Sequence, residues 1–462
     1  MVMPLGAAPR PAGDPAATDS GRGPGRRRML LWSVLANFAS KGVSLVSLFV
    51  SVPLTIAYLG PERFGVWMTI ASLASLLSLL DLGVGNSLVN EAARASAAND
   101  RRGLQALVVT GLAVLGLIGL GAALSLLCLA WLVPPSALFA GAGAALHPEI
   151  RDTAVTFAVL FGLSMPLQGL QKIVTGMQQP YWVHAVNGVA AVLALGALVL
   201  AALLQASIPV LLLASYGIPV VGSLALLLVL RPHLAGMARP AWEEARPLAL
   251  RLAKRGGLFF VLQAAVAVMG GMDNAILSLT LGPASVATFA VTQRLFQLVY
   301  QPLAVLNAPL WPAYADAMAQ GDTRFIRRTL RRSVFGSCAL AAAGSALLLA
   351  FHEPLIRHWT HQQVDPPVAL VLGMAVWVVI DATSNAFAMY LNGTSVIRAQ
   401  IVVMSALVAV LVPLKFAAVA RWGVSGVPLA SVAAFLVIVV LPYMFVFRQQ
   451  VLGPIAPRAA LA

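Results

Sequence analysis

Residues 54–90 read LTIAYLGPERFGVWMTIASLASLLSLLDLGVGNSLVN, and this stretch decides how the chain folds. Apolar runs lie on both sides of a Leu-Gly-Pro turn at 59–61, and the run before the turn begins near residue 30. A helix needs about 20 apolar residues to cross the hydrocarbon core of a bilayer. Hydrocarbon offers no partners to free backbone groups, so such runs must be helical. The stretch therefore predicts two membrane helices joined by a tight turn.

Composition extends this prediction to the whole chain. Hydrophobic residues make up 60% of the sequence and charged residues only 10%, whereas soluble domains are about 25% charged. A soluble protein of 462 residues could not cover its surface with so few charges. The composition therefore indicates a polytopic membrane protein.

The apolar runs recur and predict twelve spans. Their approximate limits are 30–58, 64–90, 105–133, 151–176, 183–204, 208–230, 250–280, 285–313, 333–352, 366–392, 396–419 and 424–447. The alternating segments of about ten residues that a membrane β-barrel requires do not occur. The predicted fold class is an all-α polytopic membrane protein with twelve transmembrane helices in two six-helix lobes.

The basic residues predict the orientation. Of the 30 Lys and Arg residues, 23 fall in segments on the side of the N-terminus and four on the other side, namely Arg63, Arg151, Arg357 and Arg421. Basic residues concentrate on the cytoplasmic side of membrane proteins. Both termini are therefore predicted to be cytoplasmic. Topology also accounts for much of the net charge of +14 without a nucleic-acid partner.

The longest cytoplasmic connection divides the chain into two halves. The predicted organisation is a disordered cytoplasmic tail at 1–29, a six-helix lobe at 30–230, a cytoplasmic linker with an amphipathic helix at 231–249, a second six-helix lobe at 250–447 and a tail at 448–462. The Leu-Gly-Pro turn recurs at 281–283, and Asp100 recurs as Asp322 at the same offset of 222. Both halves start at the cytoplasm, which predicts a pseudo-two-fold axis along the membrane normal. Transporters with such repeats place their polar site between the halves.

Six ionisable residues lie within the predicted spans: Lys41, Asp81, Asp273, Arg294, Asp381 and Lys415. A charge at bilayer depth costs about 2.5–3.5 kcal/mol on insertion scales, so such residues are usually kept for a cavity, a partner or a ligand. Lys41 and Arg294 are candidates for binding an anionic substrate. Lys41 is near the middle of its span, and a buried ion pair is the alternative interpretation.

Asp273 and Arg294 have similar predicted depths on either side of the 281–283 turn, which predicts a direct ion pair. The pair is either a structural lock or a gate that opens when a phosphate takes the arginine, whose planar fork suits phosphate. Asp381 lies beside Thr383, Ser384 and Asn385. It is a candidate for carrying a coupling proton or binding Na⁺, and a helix–helix hydrogen bond is the alternative. Asp273 is the second candidate for ion coupling or gating.

The remaining charged positions favour structural roles. Asp81, with Gly85 and Asn86 after it, indicates a bend or a close helix contact, so Asp81 and Asn86 are predicted to be structural or cavity-lining. Lys415 is near the outer end of its span, and its long side chain is predicted to extend towards the headgroups.

The stretch 54–90 resembles the first two helices of Wzx-type polysaccharide flippases, of the multidrug/oligosaccharidyl-lipid/polysaccharide exporter superfamily. The resemblance is carried by the turn LGPERFG at 59–65 and the helix end DLGVGNSLVN at 81–90, with weaker similarity in MDNAILSLTLG (272–282), VTQRL (291–295) and LNGTSVIRAQ (391–400).

This resemblance implies a flippase of the bacterial inner membrane. Its cargo would be a lipid-linked oligosaccharide, usually on undecaprenyl diphosphate, moved to the periplasmic leaflet for O-antigen, lipopolysaccharide or exopolysaccharide synthesis. Expected partners are membrane lipids, H⁺ or Na⁺ as coupling ion, and a polysaccharide polymerase and glycosyltransferases.

Several alternatives remain open from the sequence. They are a cation-coupled multidrug antiporter of the same superfamily, a scaffold or membrane enzyme of polysaccharide assembly, and an amino-acid or small-ion symporter. No G-x-x-x-x-G-K-[ST] loop and no H-E-x-x-H motif occur. Without such motifs, no cofactor or metal site is expected. The outer loops are short, which argues against an enzyme.

Overall fold

The computed structural model describes residues 50–73, 83–234, 245–252, 271–394 and 397–444, with the single positions Gly42 and Glu243. Within these ranges the chain is helical apart from short turns, and no strand occurs. The predicted all-α class is therefore confirmed. Lys41, Asp81 and both predicted tails lie outside the described residues.

The longer helices are labelled in chain order. They are α1 (residues 50–73), α2 (Val84–Ala97), α3 (Arg101–Leu132), α4 (His147–Gly176), α5 (Pro180–Leu203), α6 (Ile208–His233), α7 (residues 271–280), α8 (Pro283–Asn307), α9 (Leu310–Gln320), α10 (Thr323–Trp359), α11 (Val368–Gly393), α12 (Ile397–Trp422) and α13 (Gly426–Phe435).

Seven helical stretches in the described part of the chain are long and apolar enough to cross a membrane. They are α3, α4, α5, α6, α10, α11 and the run from α12 through α13. Most of their bounds agree with the predicted spans to within a few residues. Helix α10 is longer, with 37 residues, and its arginine-rich first turns precede the predicted span at 333–352.

The predicted span at 285–313 is wrong in its second part. Helix α8 ends at Asn307, and α9 begins at Leu310 after a turn that contains Pro309. Proline has no backbone N–H, so the helical hydrogen bond that this position would donate is absent. Apolar composition runs through this break, so hydropathy alone could not place it.

Glycine marks both Leu-Gly-Pro turns. Gly60 has a φ of 71° and Gly282 a φ of 88°, values that glycine adopts readily and other residues rarely. Helical backbone lies on both sides of Gly60 within α1, so the path of the helix is interrupted there. The two predicted turns are therefore confirmed, and the end of the molecule that carries them is named the turn end.

The two halves repeat a second feature at the same offset. Asp100 and Asp322 are the N-cap residues of α3 and α10, and each carboxylate accepts a hydrogen bond from the backbone N–H three residues on, at 2.8 and 2.9 Å. Such caps satisfy a free donor at the start of a helix. A short helix precedes each cap, α2 in the first half and α9 in the second. This end is named the cap end.

At the turn end, one hydrophobic core joins the two halves. It includes Phe64 and Trp67 of α1 and Phe161 of α4 from the first half, with Phe289 and Phe296 of α8 from the second half. All five side chains are at most 3% exposed. The halves therefore pack together at the turn end.

At the cap end, the halves have separate cores. One cluster contains Leu88 and Leu107 of the first half and Leu248 and Leu252 of the short helix 245–252. Another contains only second-half residues, such as Tyr314 and others in α9 to α11. Among the described residues, no cluster at this end joins α2–α6 to α8–α13. Leu248 and Leu252, four residues apart and both buried, lie on one face of this short helix, and the linker bounds of 231–249 remain a prediction.

The close packing of the two halves at the turn end predicts the effect of adding a methyl group at Gly65. A Cβ at Gly65 would overlap the backbone carbonyl of Pro283, and backbone cannot move aside as a side chain can. Gly65→Ala is therefore expected to destabilise the protein by about 1–3 kcal/mol, measured as a lower thermal unfolding midpoint in detergent.

Gly116→Ala in α3 is the matched control. A Cβ there meets nothing within 4 Å, and alanine favours a helix by about 0.5–1 kcal/mol relative to glycine. Equal midpoints for the two variants would contradict the close approach of Gly65 to Pro283.

Candidate functional site

The seam between the halves is the candidate functional site. On the second half, α7 and α8 lie against α1, and the Asn274 side-chain amide donates a hydrogen bond to the Met68 carbonyl at 3.3 Å. The Ser278 hydroxyl donates to the Leu138 carbonyl at 2.9 Å, and the Ala140 N–H donates to the Ser278 carbonyl at 3.0 Å. Polar contacts between the halves therefore accompany the apolar packing.

Arg294 of α8 points across this seam. Its Cζ is 6.0 Å from the ring centroid of Phe64 and 5.8 Å from that of Trp67, and its Nη2 is 3.0 Å from Met68 Sδ. Cation–π contacts of this kind contribute about 0.5–2 kcal/mol each. The three partners are at positions i, i+3 and i+4 of α1, which lie on one helix face. One face of the first half therefore forms a cradle for a cation of the second half.

The cluster formed by Arg294, its partners on α1 and Asn274 has polar atoms that make no hydrogen bond to the described residues. Arg294 Nη1, Trp67 Nε1 and Asn274 Oδ1 are buried and have no hydrogen-bond partner within the described part of the chain. A buried unsatisfied group costs about 1–3 kcal/mol. Two of the three are donors, and the guanidinium has no carboxylate within salt-bridge distance among the described residues. The cluster can therefore donate hydrogen bonds to an anionic oxygen.

The predicted Asp273–Arg294 ion pair is wrong. Asp273 of α7 forms a buried salt bridge and hydrogen bond with Lys415 of α12, within the second half. Depth along the helices is similar for Asp273 and Arg294, as predicted. The two side chains leave their helices in different directions, Arg294 towards α1 and Asp273 towards α12, and sequence depth carries no information on this direction.

The prediction for Lys415 is also wrong. Its residue surface is only 2% exposed, so the side chain does not extend to the headgroups. Lys415 lies seven residues before the end of α12 and Asp273 nine residues before Gly282, which is about 11 and 14 Å at 1.5 Å per residue. A carboxylate at nearly the same depth holds the amine in the protein interior.

Asp381 lies in the second half, where α8, α10 and α11 meet. It is partly buried, its neighbour Ala382 packs with Leu303 of α8 and Ala341 of α10, and Tyr300 of α8 packs against the same cluster. The Thr383 hydroxyl donates a hydrogen bond to a carbonyl of its own helix at 2.6 Å, so it does not donate to the Asp381 carboxylate. No salt bridge or hydrogen bond joins the Asp381 carboxylate to the described residues.

The structure tests only part of the predicted site. Lys41 and Asp81 lie outside the described residues; Asn86 is in α2, but its side chain is outside the described part. Sequence reasoning missed Phe64, Trp67, Met68 and Asn274. The signal was present in the spacing of the first three and in the MDN motif at 272–274. No group of three or more His, Cys, Asp or Glu in the described ranges could hold a metal ion.

Solved structures share this fold over almost the whole chain. An inward-facing multidrug resistance MATE family transporter of the MOP superfamily matches with a TM-score of 0.68 and 16% identity, covering 91% of this chain and 94% of that one. The lipid II flippase MurJ in an inward closed conformation matches with 0.67 and 14%, covering 92% and 90%. An outward-facing MATE family transporter matches with 0.54 and 16%, covering 92% and 96%. No curated protein matches the chain.

The helices and these matches define a multi-pass membrane protein with the fold of MATE and MurJ transporters. The chain belongs to the family described as polysaccharide biosynthesis protein, whose family model matches residues 28–318. The predicted family is thereby confirmed, and it is a family of membrane flippases and transporters rather than enzymes.

Proposed function

We propose that the protein moves a polyprenyl-diphosphate-linked oligosaccharide from the cytoplasmic to the periplasmic leaflet by alternating access. The observation that carries this proposal is the unequal packing of the two ends. Among the described residues, the halves share one core at the turn end and have separate cores at the cap end. This is the packing expected of a transporter closed at one end and open at the other, and the TM-score is higher with the inward-facing relative than with the outward-facing one.

The charge distribution orients the cycle. The cap end carries most of the basic residues, such as Arg101, Arg102, Arg324 and Arg328, which favours the cytoplasmic side. The substrate would then enter between the halves from the cytoplasm, in the inner membrane of a bacterium, with both chain termini cytoplasmic and with 30–230 and 250–447 as the two lobes.

Arg294 is positioned to meet the diphosphate at the closed end of this path. It lies eleven residues after Pro283, about 17 Å from the turn end, near the middle of a hydrocarbon core of about 30 Å. A phosphate would satisfy its free Nη1 and weaken its contacts with α1, which loosens the seam. Lys41 is the second proposed cationic contact, and the polyprenyl chain stays in the lipid.

The direct test is reconstitution of the purified protein in vesicles with a fluorescent polyprenyl-diphosphate oligosaccharide. The protein is expected to accelerate the appearance of the sugar in the outer leaflet, and empty vesicles are the control. A rate equal to that of empty vesicles would overturn the proposal. A gene neighbourhood with glycosyltransferases and a polymerase, of O-antigen, lipopolysaccharide or exopolysaccharide type, would identify the pathway.

Asp381 is the proposed coupling residue, since its carboxylate has no partner in the described residues and ionisation there is costly unless H⁺ or Na⁺ binds. Asp381→Asn is expected to fold normally and to lose the stimulation of flipping by an imposed ion gradient. The measurement is the flipping rate with and without a pH or Na⁺ gradient, with Asp316→Asn in α9 as an exposed control. Retained stimulation in Asp381→Asn would contradict this role.

A cation-coupled multidrug antiporter is the second candidate function. Asp381, which has no partner among the described residues, and the fold shared with multidrug MATE transporters favour it. Drug resistance on overexpression, together with intact surface polysaccharide in a deletion strain, would support the antiporter. Loss of surface polysaccharide without a change in drug resistance would support the flippase.

A further inference from the structure

An apolar groove runs along the outside of the second half, between α8 and α10. It has a volume of about 820 Å³ and is lined by Leu295, Leu347, Phe351, Leu355 and Trp359, among others. Leu347, Phe351 and Leu355 are 60%, 54% and 40% exposed, and their spacing of four residues places them on one face of α10. An exposed apolar stripe beside the buried side chains of Leu295 and Trp359 suits a hydrocarbon chain.

The groove has the length of one leaflet. Helices α8 and α10 are antiparallel, with Gly344 against Val299, so the C-terminal end of α10 lies at the turn end. Leu347 and His358 are eleven residues apart, which is about 16 Å along a helix. This is about half of a hydrocarbon core of about 30 Å. A lipid with its headgroup at the turn end would therefore place its chain along the stripe.

One polar pocket adjoins the groove, and a second polar pocket adjoins the first. His358 and Pro354 line both the groove and a pocket of about 460 Å³ that also contains Arg357 and His361. Arg357 also lines a second pocket, of about 360 Å³, that contains Glu353 and Asp365. Cationic and imidazole groups therefore lie directly beside the groove, and carboxylates lie one step further away.

This order of charges matches a zwitterionic headgroup. Arg357 and Glu353 are 3.0 Å apart, but their side chains are 53% and 57% exposed, and an exposed pair of this kind is weak. A phosphate diester could bind Arg357 and His358, and an ammonium group one ethylene further on could bind Glu353 and Asp365. Each carboxylate would gain a charge-assisted hydrogen bond from a primary ammonium.

We propose that an ethanolamine-type phospholipid of the leaflet at the turn end binds here, with one chain in the groove between α8 and α10. The site is separate from the seam that contains Arg294. It does not depend on what the protein transports.

The experiment is native mass spectrometry of the full chain with phosphatidylethanolamine, phosphatidylglycerol and phosphatidylcholine of identical chains. Retention of the ethanolamine lipid is expected to exceed that of the other two by about five- to tenfold, the net effect of about one ordinary hydrogen bond at an exposed site. The double variant Glu353→Gln/Asp365→Asn is expected to remove this preference. Arg357→Gln/His358→Gln is expected to weaken retention of all three lipids, and Arg324→Gln/Arg328→Gln, at the cap end of α10, to change nothing.

A second measurement tests the groove itself. A phosphatidylethanolamine with a spin label near the glycerol end of its chain, at the level of Trp359, is expected to quench the fluorescence of Trp359, read as the difference between the native protein and Trp359→Phe. Water-soluble glycerophosphoethanolamine at the same concentration is expected not to displace the lipid. Equal retention of the three lipids, no quenching of Trp359, or displacement by the soluble headgroup would each overturn the proposal.

Discussion

Lys415→Met is expected to lower the free energy of unfolding by about 3–5 kcal/mol, because it leaves the Asp273 carboxylate buried without its cation. Methionine keeps the length and apolar character of the lysine stem, so the lost charge is the main change. The measurement is the thermal unfolding midpoint of the purified full chain in detergent. An unchanged midpoint would contradict a buried pair between α7 and α12.

The double variant Asp273→Leu/Lys415→Met separates structure from function. Replacing both members of a buried ion pair by apolar residues is often neutral or stabilising, so this variant is expected to unfold near the native midpoint. Its flipping rate then tests the role in coupling or gating that the sequence predicts for Asp273. Loss of flipping in a stable double variant would support that role, and native flipping would restrict Asp273 to holding α7 against α12.

Arg294→Met is expected to reduce the flipping rate by about 10–100-fold while leaving stability nearly unchanged. A charge-assisted hydrogen bond to a phosphate contributes about 1.5–3 kcal/mol, and 1.4 kcal/mol corresponds to a factor of ten. The protein loses two cation–π contacts of about 1 kcal/mol each. It also loses the Nη1 donor, which is unsatisfied among the described residues. Burial of such a donor costs about 1–3 kcal/mol, so its removal offsets the loss of the cation–π contacts.

Arg421→Met is the matched control for this substitution. Arg421 also lies over a tryptophan, with its Cζ 5.7 Å from the ring centroid of Trp422, but it is exposed at the end of α12. Its replacement is expected to leave flipping unchanged, and Arg294→Lys to give an intermediate loss because lysine lacks the planar fork. Native flipping by Arg294→Met, in protein that remains folded, would remove the arginine from the proposed path.

Hydropathy and turn residues were sufficient for most of the helices that the structure describes. The Leu-Gly-Pro turns at 59–61 and 281–283 and the paired caps Asp100 and Asp322 were all predictable, since each depends on a few neighbouring residues. The break at Pro309 was missed because hydropathy averages over a window and does not register a single absent hydrogen bond. The count of twelve spans and the two-lobe division remain predictions.

The amino-acid sequence by itself determined that this is a helical membrane protein, because lipid imposes helices and apolar length on any chain that crosses it. The motifs at 59–65 and 81–90 predicted the polysaccharide biosynthesis family. The sequence also determined which charges are unusual. Only the tertiary structure decided their partners: Lys415 for Asp273, and the face of Phe64, Trp67 and Met68 for Arg294. The packing of segments that are distant in the sequence sets which helix each side chain meets. Position along the chain gives the depth of a side chain in the membrane but not its partner.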